Sequence, residues 1–273
     1  MLTDFIKVYT ISLNKTFSKV KKNPIIFLMP LMYSIIMGIC HYLADILLSN
    51  IVGTTIWRFL IPLIDSLIIS SYFTILEDLI MYNRINFKYF TKSFIKKSGL
   101  IYATYFTLIL IDWAFFIINL DYTIELIISS ILGIVLSSVS EYIYLRGISY
   151  TEGLISALKF FKENFFLWLP PIIILFLGKY ILFDMIDMSA DLSDLVMTQT
   201  LGSPFNFYLG QYLDLGYIIK FIIFEIIVSL LTVFRGVLFN IIEGSSIRKR
   251  KYRGYDFWEN KKRKKKKFSL YWN

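Results

Sequence analysis

Asp65 and Glu225 are carboxylates set near the middle of long apolar stretches, with Lys220 and Arg235 close to Glu225 along the chain. An ionisable group at the centre of a bilayer costs about 2.5 kcal/mol or more on insertion scales, so each asks for a partner or a function. Two readings stand side by side. In one, Asp65 and Glu225 lie on a proton- or ion-coupled path between helices; in the other, they are neutral, hydrogen-bonded carboxyls that hold helices together. Lys179, Lys220 and Arg235 are candidate partners, each near enough to a span end to snorkel toward headgroups. Pro62 precedes Asp65 by three residues and frees a backbone carbonyl that could line a polar cavity. Asp112, Glu125 and Glu141 lie nearer span ends, are read as reaching water or headgroups, and receive no role.

Other chemistry is sparse. Cys40 is the only cysteine and His41 the only histidine, so no disulfide within the chain and no zinc or histidine-based catalytic cluster can be assembled. No Walker-type G-x-x-x-x-G-K, G-x-S-x-G or H-E-x-x-H occurs. No catalytic residue, metal or cofactor is assigned. An intramembrane acid pair, Asp65 with Glu225 or with Asp112, has no spacing that favours chemistry over structure.

The elements that carry these residues are membrane spans. Of the 273 residues, 56% are hydrophobic, which moves the chain out of the soluble class. Apolar stretches at 25–44, 56–76, 100–119, 122–145, 165–183 and 215–235 are each near the ~20 residues that a bilayer core demands. A barrel would show polar–apolar alternation, which is absent, so the spans are expected as helices. Residues 1–242 form one all-α polytopic domain and 243–273 a basic tail. Lys19, Lys21 and Lys22 mimic a secretory signal, but no small-residue cleavage pattern follows Ile39, and the first span is read as retained. The excess of Ile, Lys, Asn, Phe and Tyr hints at an AT-rich bacterial genome.

Loop charge sets an orientation, because basic residues resist translocation. Lys7, Lys15, Lys19, Lys21 and Lys22 precede the first span; Arg84, Lys88, Lys92, Lys96 and Lys97 follow the second; Arg146, Lys159 and Lys162 follow the fourth. The intervening connections hold Asp45, Asp121 and a stretch, 184–214, with several Asp and no Lys or Arg. Both termini are expected in the cytoplasm and the protein in the cell (inner) membrane.

A repeat runs through the chain. Lys21-Lys22-Asn23-Pro24-Ile25-Ile26-Phe27-Leu28-Met29-Pro30 lines up without gaps on Lys162-Glu163-Asn164-Phe165-Phe166-Leu167-Trp168-Leu169-Pro170-Pro171, and upstream Thr10, Leu13, Phe17 and Val20 meet Thr151, Leu154, Leu158 and Phe161. Phe94-Ile95-Lys96-Lys97-Ser98-Gly99-Leu100 is a weaker copy. Arg146-Gly147 and Arg235-Gly236 are read as closing the fourth and sixth spans alike. The unit would be an elbow: an interfacial amphipathic helix, such as Leu2, Phe5, Tyr9, Leu13, Phe17 and Val20 would face, then a polar corner and a hairpin of two spans. Three such units, each starting and ending inside, would be parallel repeats about the membrane normal. Independent helices with basic flanks and an Asn or Pro start would also look alike. The pattern over Thr10 to Pro30 and Thr151 to Pro171 resembles bacterial multi-pass membrane domains, including those fused to some glycerophosphodiester phosphodiesterases. That resemblance implies a membrane domain without the catalytic one, so no enzyme activity carries over.

Ser129, Gly133 and Ser137 recur every four residues, the spacing that lets helices approach closely, and are assigned to packing. In 184–214, Met185, Met188, Leu192 and Leu195 oppose Asp187, Asp191 and Asp194, which predicts a surface helix ended by Gly202 and Pro204. Asp184 with those three acids lacks the glycine-turned loop of a Ca²⁺ motif and reads as a solvated face. Phe205, Phe207, Tyr208 and Tyr212 suit headgroup level.

The tail holds 12 of the 29 basic residues, and without it Lys plus Arg equals Asp plus Glu at 17 each. Arg248, Lys249, Arg250 and Lys251, then Lys261, Lys262, Arg263, Lys264, Lys265, Lys266 and Lys267, alternate with aromatic residues. Anionic lipid headgroups are the first expected ligand, at about 1 kcal/mol per basic residue. A bare topology anchor and RNA or a ribosome are the competing readings. The sequence leads to a non-enzymatic membrane scaffold or accessory subunit of a membrane complex, with a membrane-protein partner. Its alternative is a small transporter or permease using Asp65 and Glu225. On the lipid reading, a peptide of residues 243–273 binds anionic vesicles, with binding that weakens as salt rises. Equal binding to neutral vesicles in a sedimentation assay contradicts it.

Overall fold

The computed structural model describes residues 2–48, 54–88, 90–119, 121–183, 192–201 and 215–243. Among them every regular element is helical: α1 (Leu2–Lys22), α2 (Met29–Leu48), α3 (Thr54–Glu77), α4 (Phe90–Lys96), α5 (Ser98–Ile118), α6 (Tyr122–Val135), α7 (Val139–Arg146), α8 (Tyr150–Phe183), α9 (Leu192–Met197) and α10 (Leu215–Ile242). Six stretches of these helices are long and apolar enough to cross a membrane: Pro24–Ile46, Phe59–Tyr82, Phe90–Ile118, Tyr122–Arg146, Tyr150–Gly178 and Ile218–Ile242. The protein is a multi-pass helical membrane protein. The sixth span runs to Ile242, beyond the expected end at Arg235, because Gly236 to Ile242 is almost wholly apolar and keeps the helix inside the bundle.

Three elbows precede the three hairpins. Asn23 (φ −134°, ψ 67°) separates α1 from the helical turn that opens α2, Lys97 (φ −121°, ψ 0°) separates α4 from α5, and Asn164 (φ −124°, ψ 18°) kinks α8. Asn23 and Asn164 make the same bond. Each side-chain amide donates to the carbonyl four residues back, Lys19 and Phe160, at 3.1 Å. At the first corner the Lys19 carbonyl also accepts from the Asn23 N–H, so the amide adds a second bond that fixes the helix end, which gives the aligned Asn a physical reason. In the middle unit the corner is Lys97, so the structural register of that copy differs by one from the alignment of its two lysines.

Each elbow helix packs along the closing turns of another unit's second helix. α4 lies on α3, the first half of α8 lies on α7 with Phe160 edge-on to Tyr142, and α1 lies on α10 with Tyr9 against Phe234. Since α1 closes on the last helix, the three units form a ring. α3, α7 and α10 make its inside, and α2, α5 and the second half of α8 its outside. Val8, Ser12, Thr16 and Val20 are the buried stripe of α1, and Gly153 and Ala157, which align with Ser12 and Thr16, are buried on α8. Small side chains at that spacing let the elbow lie close to its neighbour. The expected apolar face of α1 is split: Phe5, Tyr9 and Val20 pack on the bundle, whereas Ile6, Leu13 and Phe17 are exposed on an adjacent face.

Lys19 ties the first elbow to the second span. Its ammonium donates to the carbonyls of Leu79 (3.0 Å) and Ile80 (2.9 Å), in the π-helical turn Asp78–Tyr82 that ends α3 before left-handed Asn83. A cation on terminal carbonyls offsets the negative end of the helix dipole. Burial, then Lys15 and Lys22, hold this ammonium below the usual lysine range.

The two Arg-Gly pairs differ. Gly147 (φ 68°) is a left-handed cap that ends α7, while Gly236 lies inside α10 where the inner helices converge. A Cβ at Gly236 would meet Ile80 Cδ1 at 2.2 Å and the Tyr144 hydroxyl at 2.5 Å. Gly236→Ala is therefore expected to cost about 1–3 kcal/mol by overpacking. Adding Ile80→Val, which removes Cδ1, should restore part of the loss in thermal unfolding of the detergent-solubilised protein.

Candidate functional site

The fourth span is broken. Between α6 and α7 the chain turns at Leu136–Ser138 and leaves the Ser137 carbonyl outside the regular helical ladder. Arg235 of α10 fills that gap, its Nη2 donating to the Ser137 carbonyl (2.5 Å) and to Glu141 Oε2 (3.1 Å). Nη1 points to Gln199 Oε1 at 3.5 Å, and the guanidinium lies 5.3 Å from the Trp168 ring centroid. Trp168 in turn donates its indole N–H to Ser137 Oγ at 2.9 Å. Arg235 is 1% exposed and Glu141 0%. A pair this deep offsets its desolvation only with close geometry and further hydrogen bonds, and both are present.

Glu141 is thus corrected from a headgroup residue to the buried counter-ion, and Arg235 from a snorkelling cation to the hub of the bundle. Both lie toward the span ends, as expected, but face the interior rather than lipid.

A second departure brings Gln199 to this hub. Residues 192–201 do not form a surface helix. α9 and the 3₁₀ turn Thr198–Thr200 are buried between α5, α6, α7 and α10, with Leu192, Val196, Met197 and Leu201 in the core. Asp112 of α5 accepts from the Leu192 N–H (3.2 Å); Gln199 donates to the Gly133 carbonyl (3.1 Å), Thr232 to the Thr200 carbonyl (3.1 Å) and Ser34 to the Leu201 carbonyl (2.8 Å). The ends of so short a helix leave backbone groups unpaired, which persist at this depth only where protein groups satisfy them, and these contacts do so. Asp112 lies far along α5 and Ser34 near the start of α2. At 1.5 Å per helical residue, the segment itself is roughly 13 Å long.

The remaining predicted residues divide. Asp65 is buried and shares a 2.6 Å hydrogen bond with His41, a pairing of adjacent spans that the sequence analysis did not make. Glu225 is buried on α10, within electrostatic reach of Tyr72 of α3, which also senses Arg235. The structure does not bring Arg235 to Asp65 or Glu225 as an ion pair; its carboxylate is Glu141. Lys220 is exposed. Ser129 and Gly133 are buried, and a Cβ at Gly133 would lie 3.3 Å from Leu195 Cβ, so the small-residue row receives the buried segment 192–201, while Ser137 is the acceptor at the hub. The side chains of Lys179 and Asp194, residues 184–191, the aromatics of 205–212 and all the tail cations from Arg248 to Lys267 lie outside the described residues.

At the elbow end of the bundle, Lys97 is buried and donates to Glu77 (3.2 Å) and to the Tyr144 carbonyl (3.2 Å), while exposed Lys96 also meets Glu77 (3.0 Å). Beside them Tyr33, Ser71 and Ser93 form a hydroxyl chain with links of 2.7 and 2.8 Å. Arg146 bonds Glu243 at 2.6 Å across the ends of α7 and α10. Among the described residues no group of three or more His, Cys, Asp and Glu could hold a metal ion.

No protein-family model, curated protein or solved structure matches this chain.

The hub makes a stability prediction. Arg235→Met strands Glu141 as a buried charge and is expected to cost about 3–5 kcal/mol, whereas Arg235→Met with Glu141→Leu removes both charges and recovers much of that. Equilibrium unfolding of the purified single and double variants measures the coupling.

Proposed function

We propose that the protein is a transporter of the bacterial cell membrane, with both termini cytoplasmic, that moves a small polar or charged solute through its helical centre. The observation that carries this reading is the meeting of a broken span and a re-entrant segment on one buried ion pair, Arg235–Glu141. Discontinuous helices near the middle of a bundle are how transporters expose backbone groups to solutes, and intramembrane charges are rare where no pathway needs them. Asp65 with His41 and Glu225 add further ionisable groups on the same inner helices or beside them.

A scaffold or accessory subunit is the second reading, favoured by one observation. Ile6, Leu13 and Phe17 form an exposed apolar strip on α1 beside Lys7 and Lys21, a surface that suits an anionic leaflet or a membrane partner.

Flux separates the two. Purified protein in liposomes should exchange a labelled solute from a panel of amino acids, organic acids and inorganic ions, and Asp65→Asn or Arg235→Lys should reduce the rate at least tenfold. A panel that yields no flux above protein-free liposomes, with a stoichiometric partner retained on gentle solubilisation, supports the scaffold instead.

A further inference from the structure

The polar atoms around the ion pair are not all used. Among the described residues, Glu141 Oε1, the Tyr144 hydroxyl, Thr200 Oγ1, Ser138 Oγ, Ser140 Oγ and Arg235 Nε are buried with no hydrogen-bond partner. Buried polar atoms normally have partners, and a carboxylate oxygen left over beside its own guanidinium, with the Tyr144 hydroxyl in electrostatic reach, points to a proton. We propose that Glu141 is a proton-binding gate, loaded from the elbow end of the bundle past Glu77, Lys97 and Tyr144, and that proton binding there releases Arg235. This rests on the transport reading and names the proton as the coupling ion.

The route is read from the contacts. Glu77 is partly exposed and bound by exposed Lys96, so it meets water. The same carboxylate holds Lys97, whose ammonium also bonds the Tyr144 carbonyl. Tyr144 lies three residues beyond Glu141, on the same helical face, and both side chains are within electrostatic reach of Arg235.

The charged and titratable groups that bear on Glu141 are few. α10 presents Arg235, α7 itself presents Tyr144, and α3 presents Tyr72, which is in electrostatic reach of Tyr144 and of Glu225. α8 and α9 present Trp168, Gln199 and Thr200, which do not titrate in this range.

The step is a proton transfer. An O–H bond of a hydronium from the solvent at the elbow end breaks, the proton passes beside Tyr144, and a new O–H bond forms at Glu141 Oε1; no electrons change hands. A guanidinium keeps its protons, so Arg235 remains charged and loses its counter-ion when Glu141 becomes neutral. Its other partners are the Ser137 carbonyl at the helix break and Gln199 on the re-entrant segment. Loading the proton therefore acts on the two discontinuous elements through one side chain.

The test uses the full chain in two forms. Infrared difference spectra of the purified protein across pH 4–9 should show a buried carboxyl band that titrates, is absent in Glu141→Gln and persists at a shifted pH in Glu141→Asp. In liposomes with an internal pH dye and an imposed potassium diffusion potential, proton uptake should fall at least tenfold in Glu141→Gln and severalfold in Tyr144→Phe and Glu77→Gln. A Glu141-dependent band and uptake without any solute flux would keep the gate and remove the transport reading. Solute flux that is unaffected by pH, with no band lost in Glu141→Gln, overturns the gate alone. Should Glu141→Gln fail to fold, Glu141→Asp and Tyr144→Phe decide: an unshifted band with wild-type proton uptake in both contradicts the proposal.

Discussion

The bundle depends on burying one guanidinium. Arg235 cannot lose its charge at any physiological pH, so the surrounding chain must supply a counter-ion and acceptors or the helix must leave the core. Glu141 supplies the charge, the interrupted backbone at Ser137 supplies a carbonyl, Trp168 a π face and Gln199 an amide oxygen. These come from the fourth span, the fifth span and the segment between the fifth and sixth. One side chain thus specifies how four parts of the chain meet, which is the best-attested use of buried polar groups.

The elbows explain how such an interior can be assembled from apolar helices. Each elbow helix covers the closing turns of another unit's inner helix, so α3, α7 and α10 can carry polar residues without exposing them. α1 completes the ring by packing on α10, the last of the described helices. The ring also explains Gly236: three inner helices converge there, and a side chain has no room. Lys19 links this mechanical frame to the second span, because its two carbonyl bonds join α1 to the π turn that also carries Ile80.

Much of this was legible in the sequence. Six apolar stretches gave six spans, and the aligned Asn23 and Asn164 mark corners with the same side-chain bond. The four-residue row of Ser129, Gly133 and Ser137 marks a surface that something crosses. What the sequence hid has a common cause: periodicity reports which face of a helix is apolar, not which residues meet across spans. Glu141 and Arg235 sit near span ends, where a charge reaching headgroups is the cheaper default, so nothing in spacing alone distinguishes a buried pair from two solvated ones. His41 and Asp65 lie on different helices, α2 and α3, and share no local pattern. Leu192 to Leu201 alternates apolar and polar residues much as a surface helix would, and only the acceptors and donors waiting on α2, α5, α6 and α10 make its burial affordable.

The central claim is that residues 192–201 lie inside the bundle and are held there with Arg235. Thiol accessibility of Thr200→Cys, in a Cys40→Ala background and in native membranes, tests it most directly with a membrane-impermeant maleimide. The account predicts labelling at least tenfold slower than for a cysteine at exposed Lys96, and faster labelling once Arg235→Met is added. Rapid labelling of Thr200→Cys with Arg235 intact would contradict it.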